Sequence, residues 1–115
     1  MADDCIFCSI ANGDIPSEKV YENDEFCAFR DINPGAPVHI LVIPKQHIER
    51  ITDVTPDSGP FIGRMILVAN RIVQDEGISD SGFRYVINCN RDGGQEVYHI
   101  HMHILGGRHM GWPPG

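Results

Sequence analysis

The alternation of apolar and polar positions divides this chain into short strands and two helices. "CIFCSIANGDIPS", residues 5–17, predicts a short amino-terminal helix: Ile6, Phe7 and Ile10 share a face, and Gly13 followed by Pro16 ends it. "KVYENDEFCAFRDI" reads as two β runs about a polar turn, hence a hairpin. "DINPGAP" is a loop, punctuated by two prolines and a glycine, and "VHILVIP" is an almost wholly apolar strand of the kind buried on both faces. After Thr55, residues Ile62, Met65, Ile66, Ala69, Ile72 and Val73 recur at three- and four-residue spacing, predicting a long helix that Gly77 stops. "FRYVINCN" is a further strand, "RDGGQE" a turn or loop, and "VYHIHMHIL" the last strand. The tail "GGRHMGWPPG" continues neither element, because its glycines and prolines oppose both.

This order predicts an α+β domain: a five-stranded, mostly antiparallel sheet with a short amino-terminal helix and one long helix, the helices lying on one side. At 115 residues the chain forms a single domain, residues 1–115, with one modest core. A homodimer would help so small a chain bury its remaining apolar face.

Composition narrows the functional classes. No apolar run approaches the ~20 residues that a membrane helix requires. The acidic start "MADDCIFC" lacks the basic character of an export signal, so a soluble cytoplasmic protein with no membrane association is expected. The formal net charge is −7 with Lys and Arg scattered, which disfavours nucleic-acid backbone binding yet leaves room for one small phosphate ligand. Four cysteines without an export signal point to reduced thiols. Cys27 and Cys89 fall within strand-like runs and read as small core residues, whereas Cys5 and Cys8 form a C-x-x-C pair.

The chemistry concentrates in "YHIHMHILGG", Tyr98 to Gly107. On a strand, His99, His101 and His103 project to one face while Ile100, Met102 and Ile104 pack on the other. Three readings follow: polar residues facing water, neutral imidazoles binding zinc in a hydrolase, or one nucleophilic imidazole whose neighbours set its tautomer and handle protons. Gly93 and Gly94 precede the strand, where bare amides can approach an anionic oxygen, although Asp-Gly is also a common turn.

"HIHMHIL" matches the histidine-triad pattern. With "NCNRDGGQEVYHIHMHILGGR", "AFRDINPGAPVHILVIPKQH" and the closing "MGWPPG", the chain from Cys5 to its last residue resembles the Hint branch of the histidine triad (HIT) family of nucleotide hydrolases and transferases. The resemblance implies His101 as the nucleophile on a nucleotide α-phosphorus. It places His103 at the phosphate and leaving group, His39 in support, and His99 in ordering the site. Asn88 and the Gly94 amide match groups near the phosphate. Asp31 fits the position that takes the ribose hydroxyls, and it also suits a cap of the "DINPG" turn. Ile6, Phe7, Ile10, Ile15, Phe29 and Ile32 match the apolar slot for the base. Glu96 occupies a position where animal members often have serine and bacterial relatives have Glu; a carboxylate offers no hydroxyl donor, so it is not counted as a phosphate ligand. Trp112, in the 106–115 tail, resembles a segment reaching the partner subunit's active site.

The implied activity is hydrolysis of a purine nucleoside phosphoramidate through a nucleotidyl-histidine intermediate, with no cofactor required for catalysis. Alternatives are a dinucleoside polyphosphate hydrolase, a nucleotidyl transferase, a zinc hydrolase built on the triad, or a nucleotide-binding regulatory module. Some members with the cysteine pair hold a structural zinc, and the matching residues here are Cys5, Cys8, His47 and His99. The plain alternative is two small buried thiols.

Overall fold

The computed structural model describes residues 4–115. A short helix α1 (Ile6–Ala11) leads into β1 (Lys19–Glu22) and β2 (Phe26–Arg30), then β3 (Val38–Pro44). The long helix α2 (Gly59–Asp75) follows, then β4 (Phe83–Val86), a single turn of helix α3 (Asn90–Gly93) and β5 (Met102–Gly106). The five strands form one sheet in the order β1-β2-β3-β5-β4, every neighbouring pair antiparallel. The hairpin, the central strand and the long helix thus match the sequence reading.

Because side chains alternate along each strand, the sheet has two different faces. Phe26, Ala28, Ile40, Val42, Met102 and Ile104 point to the face covered by Met65, Val68, Ala69, Ile72 and Val73 of α2. Cys27, Phe29, Leu41 and Ile43 point to the opposite face, where Phe7, Ile10 and Ala11 of α1 pack. The expectation of helices on one side is therefore corrected: α1 and α2 cover opposite faces. The reason is the parity of β2 and β3, which are apolar at consecutive positions and must be covered twice. Within α2, Ile66 is 41% exposed, and Val68 takes the core position expected of it. The helix stops as expected at Gly77, whose φ of +73° only glycine adopts freely.

The last strand is shorter than its alternation implied. "VYHIHMHIL" enters the ladder only at Met102, opposite Val42, so His99 and His101 precede the strand. Continuing the register would set Ile100 against Pro44, which has no N–H to donate. Instead the Ile100 amide donates to the Ile48 carbonyl at 2.7 Å, and the segment before β5 is held by the loop after β3. "FRYVINCN" likewise pairs only through Val86, and "RDGGQE" contains α3 and its left-handed cap Gly94 rather than a plain turn. Cys27 is fully buried as expected, whereas half-buried Cys89 caps α3 outside the core. No helix among the described residues is long and apolar enough to cross a membrane.

Candidate active site

On the α1 face, the sheet, the helix and the loops before β1, after β2 and before β5 line a cavity of about 720 Å³. Ile6, Phe7, Ile10, Ile15, Phe29 and Ile32 line it, as do Asp31, Asn88, Gly94, His101 and His103. Three of the apolar liners, Ile6, Ile15 and Ile32, are left exposed at 49%, 39% and 92%, an arrangement suited to an apolar ligand face. Of the expected site residues, His39, His99 and Trp112 are not among the lining residues.

Hydrogen bonds from backbone groups fix which nitrogen of each imidazole carries the proton. The buried His101 has its Nδ1 2.8 Å from the His99 carbonyl, which can only accept. Nδ1 is therefore the N–H, and Nε2 keeps its lone pair in the neutral ring. At His39 the order is reversed: the Gly35 amide donates to Nδ1 at 2.9 Å, so the proton sits on Nε2 and is donated to His103 Nδ1, also at 2.9 Å. His103 must then carry its own proton on Nε2. One neighbouring ring thus offers a lone pair and the other a donor, with their centroids 5.1 Å apart.

The neutral forms are favoured by burial. His103 is held down at about 4 by burial, with smaller contributions from the positive forms of His101 and His39. His39 is lowered for the same reason, with the Asp31 carboxylate opposing. In the unfolded chain a histidine takes its proton near pH 6.5, so between about 6.5 and 4 the unfolded state binds more protons and acid favours it. Folding stability should fall across that window by about 2–3 kcal/mol from His103, less the part that solvent screens. Urea midpoints at pH 7 and pH 4.5 measure this, and His103→Gln should flatten the difference; an equal slope in both proteins would refute the attribution.

His99 faces elsewhere. Its Nε2 donates to the Pro44 carbonyl at 2.7 Å, which leaves the Nδ1 lone pair toward the cysteines. The triad therefore does not converge on a single ion. Cys5 Sγ lies 3.3 Å from His99 Nδ1, Cys8 Sγ lies 3.3 Å from His47 Nδ1 and 3.5 Å from His99 Nδ1, and the two ring nitrogens are 3.2 Å apart. A tetrahedron with Zn–N of about 2.0–2.1 Å and Zn–S of about 2.3 Å has edges of about 3.3–3.8 Å. All four donor atoms lie within 4.8 Å of one another, and the donor set fits a closed Cys₂His₂ zinc centre. Without a cation, burial and then the neighbouring Cys5 push the Cys8 thiol up to about 11. The group of Asp31, His39 and His103 is different, because the bond from Gly35 commits the His39 Nε2 atom to carrying hydrogen.

Other expected residues divide. Asp31 accepts from the Asn33 amide at 2.8 Å, so it caps the turn, and its carboxylate also lines the cavity. The Gly94 amide donates to the Arg91 carbonyl at 3.0 Å, so the expectation of a bare amide there is corrected: helical capping uses it. Glu96 lines the cavity and is exposed. Trp112 is 83% exposed and lies against Arg84, whose guanidinium carbon is 5.9 Å from the ring centre.

Two features escaped the sequence reading. Gln95 is buried, donates to the Glu49 and Val97 carbonyls at 2.8 and 3.1 Å and accepts from the Asn90 amide at 3.0 Å, stapling the loop that carries Asn88 and Gly94. Among the described lining residues the only Lys or Arg is Arg30, and it is spent on Glu76 at 2.8 and 2.9 Å and Glu18 at 2.9 Å. A lone glutamine next to two glycines gives no sequence signal of burial, and ion pairing across 46 residues gives none either.

Comparison with known proteins agrees with this architecture. The HIT domain matches residues 12–110. The chain is 52% identical over 111 residues to the purine nucleoside phosphoramidase of Escherichia coli, covering 96% of this chain and 93% of that one. A solved HIT family hydrolase from Legionella pneumophila superposes with a TM-score of 0.95 at 52% identity, covering 97% of this chain and all of the other. A histidine triad protein from Clostridium difficile does so with a TM-score of 0.92 at 49% identity, covering 94% of each chain. A domain match over most of the sequence, joined to the same backbone path in relatives at about half identity, places this chain in the HIT domain family.

Proposed function

We propose that the protein is a nucleotide hydrolase that cleaves purine nucleoside phosphoramidates to the nucleoside monophosphate and an amine. The observation that supports it best is the opposed pair at the cavity: a lone pair on His101 Nε2 beside an N–H on His103. The name of the Escherichia coli relative agrees with it. In this reading His101 Nε2 attacks the α-phosphorus, the P–N bond breaks, and the amine nitrogen takes the electron pair and a proton from solvent. Water then attacks the nucleotidyl-His101 adduct and gives up a proton to solvent, the bond to Nε2 breaks with its electron pair returning to the ring, and the monophosphate leaves. His103 donates to the phosphoryl oxygens as charge builds on them. Asp31 accepts from the ribose hydroxyls, Asn88 lies at the phosphate, and the isoleucine and phenylalanine slot covers the base.

The paired state of Arg30 favours this substrate over a dinucleoside polyphosphate. A phosphoramidate brings one negative charge to the cavity, whereas a polyphosphate chain brings several and calls for cations that the lining does not supply. Turnover of adenosine phosphoramidate against diadenosine polyphosphates tests the choice; preference for the latter would overturn it. Nucleotide binding without measurable turnover of either would instead support a regulatory module.

Zinc at Cys5, Cys8, His47 and His99 belongs to the same proposal as a structural centre, holding α1 to the segment before β5. A homodimer does too, supported by exposed Leu67 and Phe83 and by the apolar tail. In that assembly residues 106–115 of the single domain reach the neighbouring cavity. Deleting Met110 to Gly115 should change leaving-group preference severalfold while nucleobase preference stays the same. A substrate panel varied at each end measures this, and an unchanged profile would remove the tail from the site.

A further inference from the structure

The proton order of the His39–His103 pair originates at one peptide unit, and the residue that supplies it is held from a second side. Gly35 donates through its amide to His39 Nδ1, and through its carbonyl it accepts from Arg108 Nη2 at 2.9 Å. Arg108 comes from the far side of the sequence, 73 residues away, just beyond the strand that carries His103. Gly107 makes that return possible. Its φ is +88°, and a Cβ there would sit 2.9 Å from the Pro37 Cβ, so only glycine lets the chain turn closely over the 33–37 loop. In that loop Pro34 and Pro37 have no amide hydrogen, and besides the bonds of Gly35 the Asn33 amide donates to Asp31 at 2.8 Å.

The bonding of Arg108, like that of Arg84, which donates to the Gly111 carbonyl at 3.0 Å, differs from that of the other arginines. Arg30, Arg50, Arg64, Arg71 and Arg91 all meet carboxylates. Among the described hydrogen bonds Arg108 meets two backbone carbonyls, Gly35 and, at 3.1 Å, His109. In a chain of net charge −7 this spends a guanidinium on shape.

We propose that Arg108 is a positioning residue for phosphate recognition. It clamps Gly35 so that the amide stays on His39 Nδ1, and this keeps the proton of His103 on Nε2, facing the cavity. Without the clamp the loop relaxes, His39 samples the other tautomer, and His103 is free to turn an unprotonated nitrogen toward an anionic oxygen. The proposal rests on the nucleotide-binding reading, but its two measurements do not share that reading's fate.

The first measurement is the ¹⁵N and ¹³C chemical shifts of His39 and His103 at pH 7. The wild-type protein should show the Nε2–H form at both rings and Arg108→Ala a mixture, with Arg108→Gln, which retains one donor, between them. The second is the binding of adenosine against adenosine monophosphate. Arg108→Ala should weaken the monophosphate about tenfold and adenosine less than twofold, so the loss falls on the phosphate alone. Arg91→Ala, removing an exposed arginine that pairs with its neighbour Asp92, should change neither. Unchanged tautomers in Arg108→Ala, or equal losses for both ligands, would overturn the proposal. If the wild-type protein bound neither ligand, the nucleotide reading would fail, and the chemical shifts would still decide the role of Arg108.

Discussion

Replacing His101 with alanine or glycine should lower turnover of adenosine phosphoramidate by roughly 10⁴-fold or more, because a nucleophile has no partial substitute. The geometry of the ring suits the proposed role. Its Nδ1–H is fixed on the His99 carbonyl, it lines the cavity, and the Phe7 ring packs edge-on at 5.0 Å between centroids. Those contacts hold Nε2, the attacking nitrogen of the proposed reaction, in one orientation before substrate arrives, which is where the rate advantage of positioning would arise. Nucleotide affinity should change far less than turnover. Thermal melting of the variant separates lost chemistry from lost folding, since the deletion also leaves space beside Phe7. Mass spectrometry of wild-type protein quenched during turnover should show a nucleotidyl adduct on His101. Turnover near the wild-type level in the variant would end the nucleophile assignment.

The second large effect concerns the cysteine cluster. Protein purified without a histidine tag should hold about one equivalent of zinc, and Cys8→Ala should lose it together with about 3 kcal/mol or more of stability. The expected cost is large because the four ligands come from the start of α1, the loop after β3 and the segment before β5, so one centre would tie three stretches of chain. Chelation should lower the melting temperature and leave the chemical step in place. Less than about a tenth of an equivalent of zinc would reject the centre. Activity that vanished on chelation while the fold persisted would favour a zinc hydrolase instead.

The fold was legible wherever one signal acted alone. "VHILVIP" became β3 at its stated ends, because an apolar run bounded by Pro37 and Lys45 has no competing reading. The long helix was legible from its spacing and from Gly77. Where a partner strand decides, the chain by itself was silent. The alternation of "VYHIHMHIL" is genuine, yet the strand starts at Met102, since the continued register would set Ile100 opposite a proline in another segment. The site shows the same division. The resemblance to the histidine triad family implied that His101, His103 and the apolar slot share one site, and all of them line one cavity. It could not show that the Gly94 amide is already bonded, that Gln95 is buried, or that Gly35 sets the proton order at His39. Each of these depends on a backbone group delivered by tertiary structure.

The ion pairs of Arg30 also bear on how quickly the cavity empties. In the proposed reaction the substrate enters with one negative charge, and the monophosphate product carries between one and two near pH 7, as phosphate monoesters do. With the lining guanidinium of Arg30 neutralised by Glu76 and Glu18, and with a protein of net charge −7 around it, the cavity would grow less hospitable as that second charge develops. Weak retention of product follows, and the cycle can restart without a separate device to expel the nucleotide.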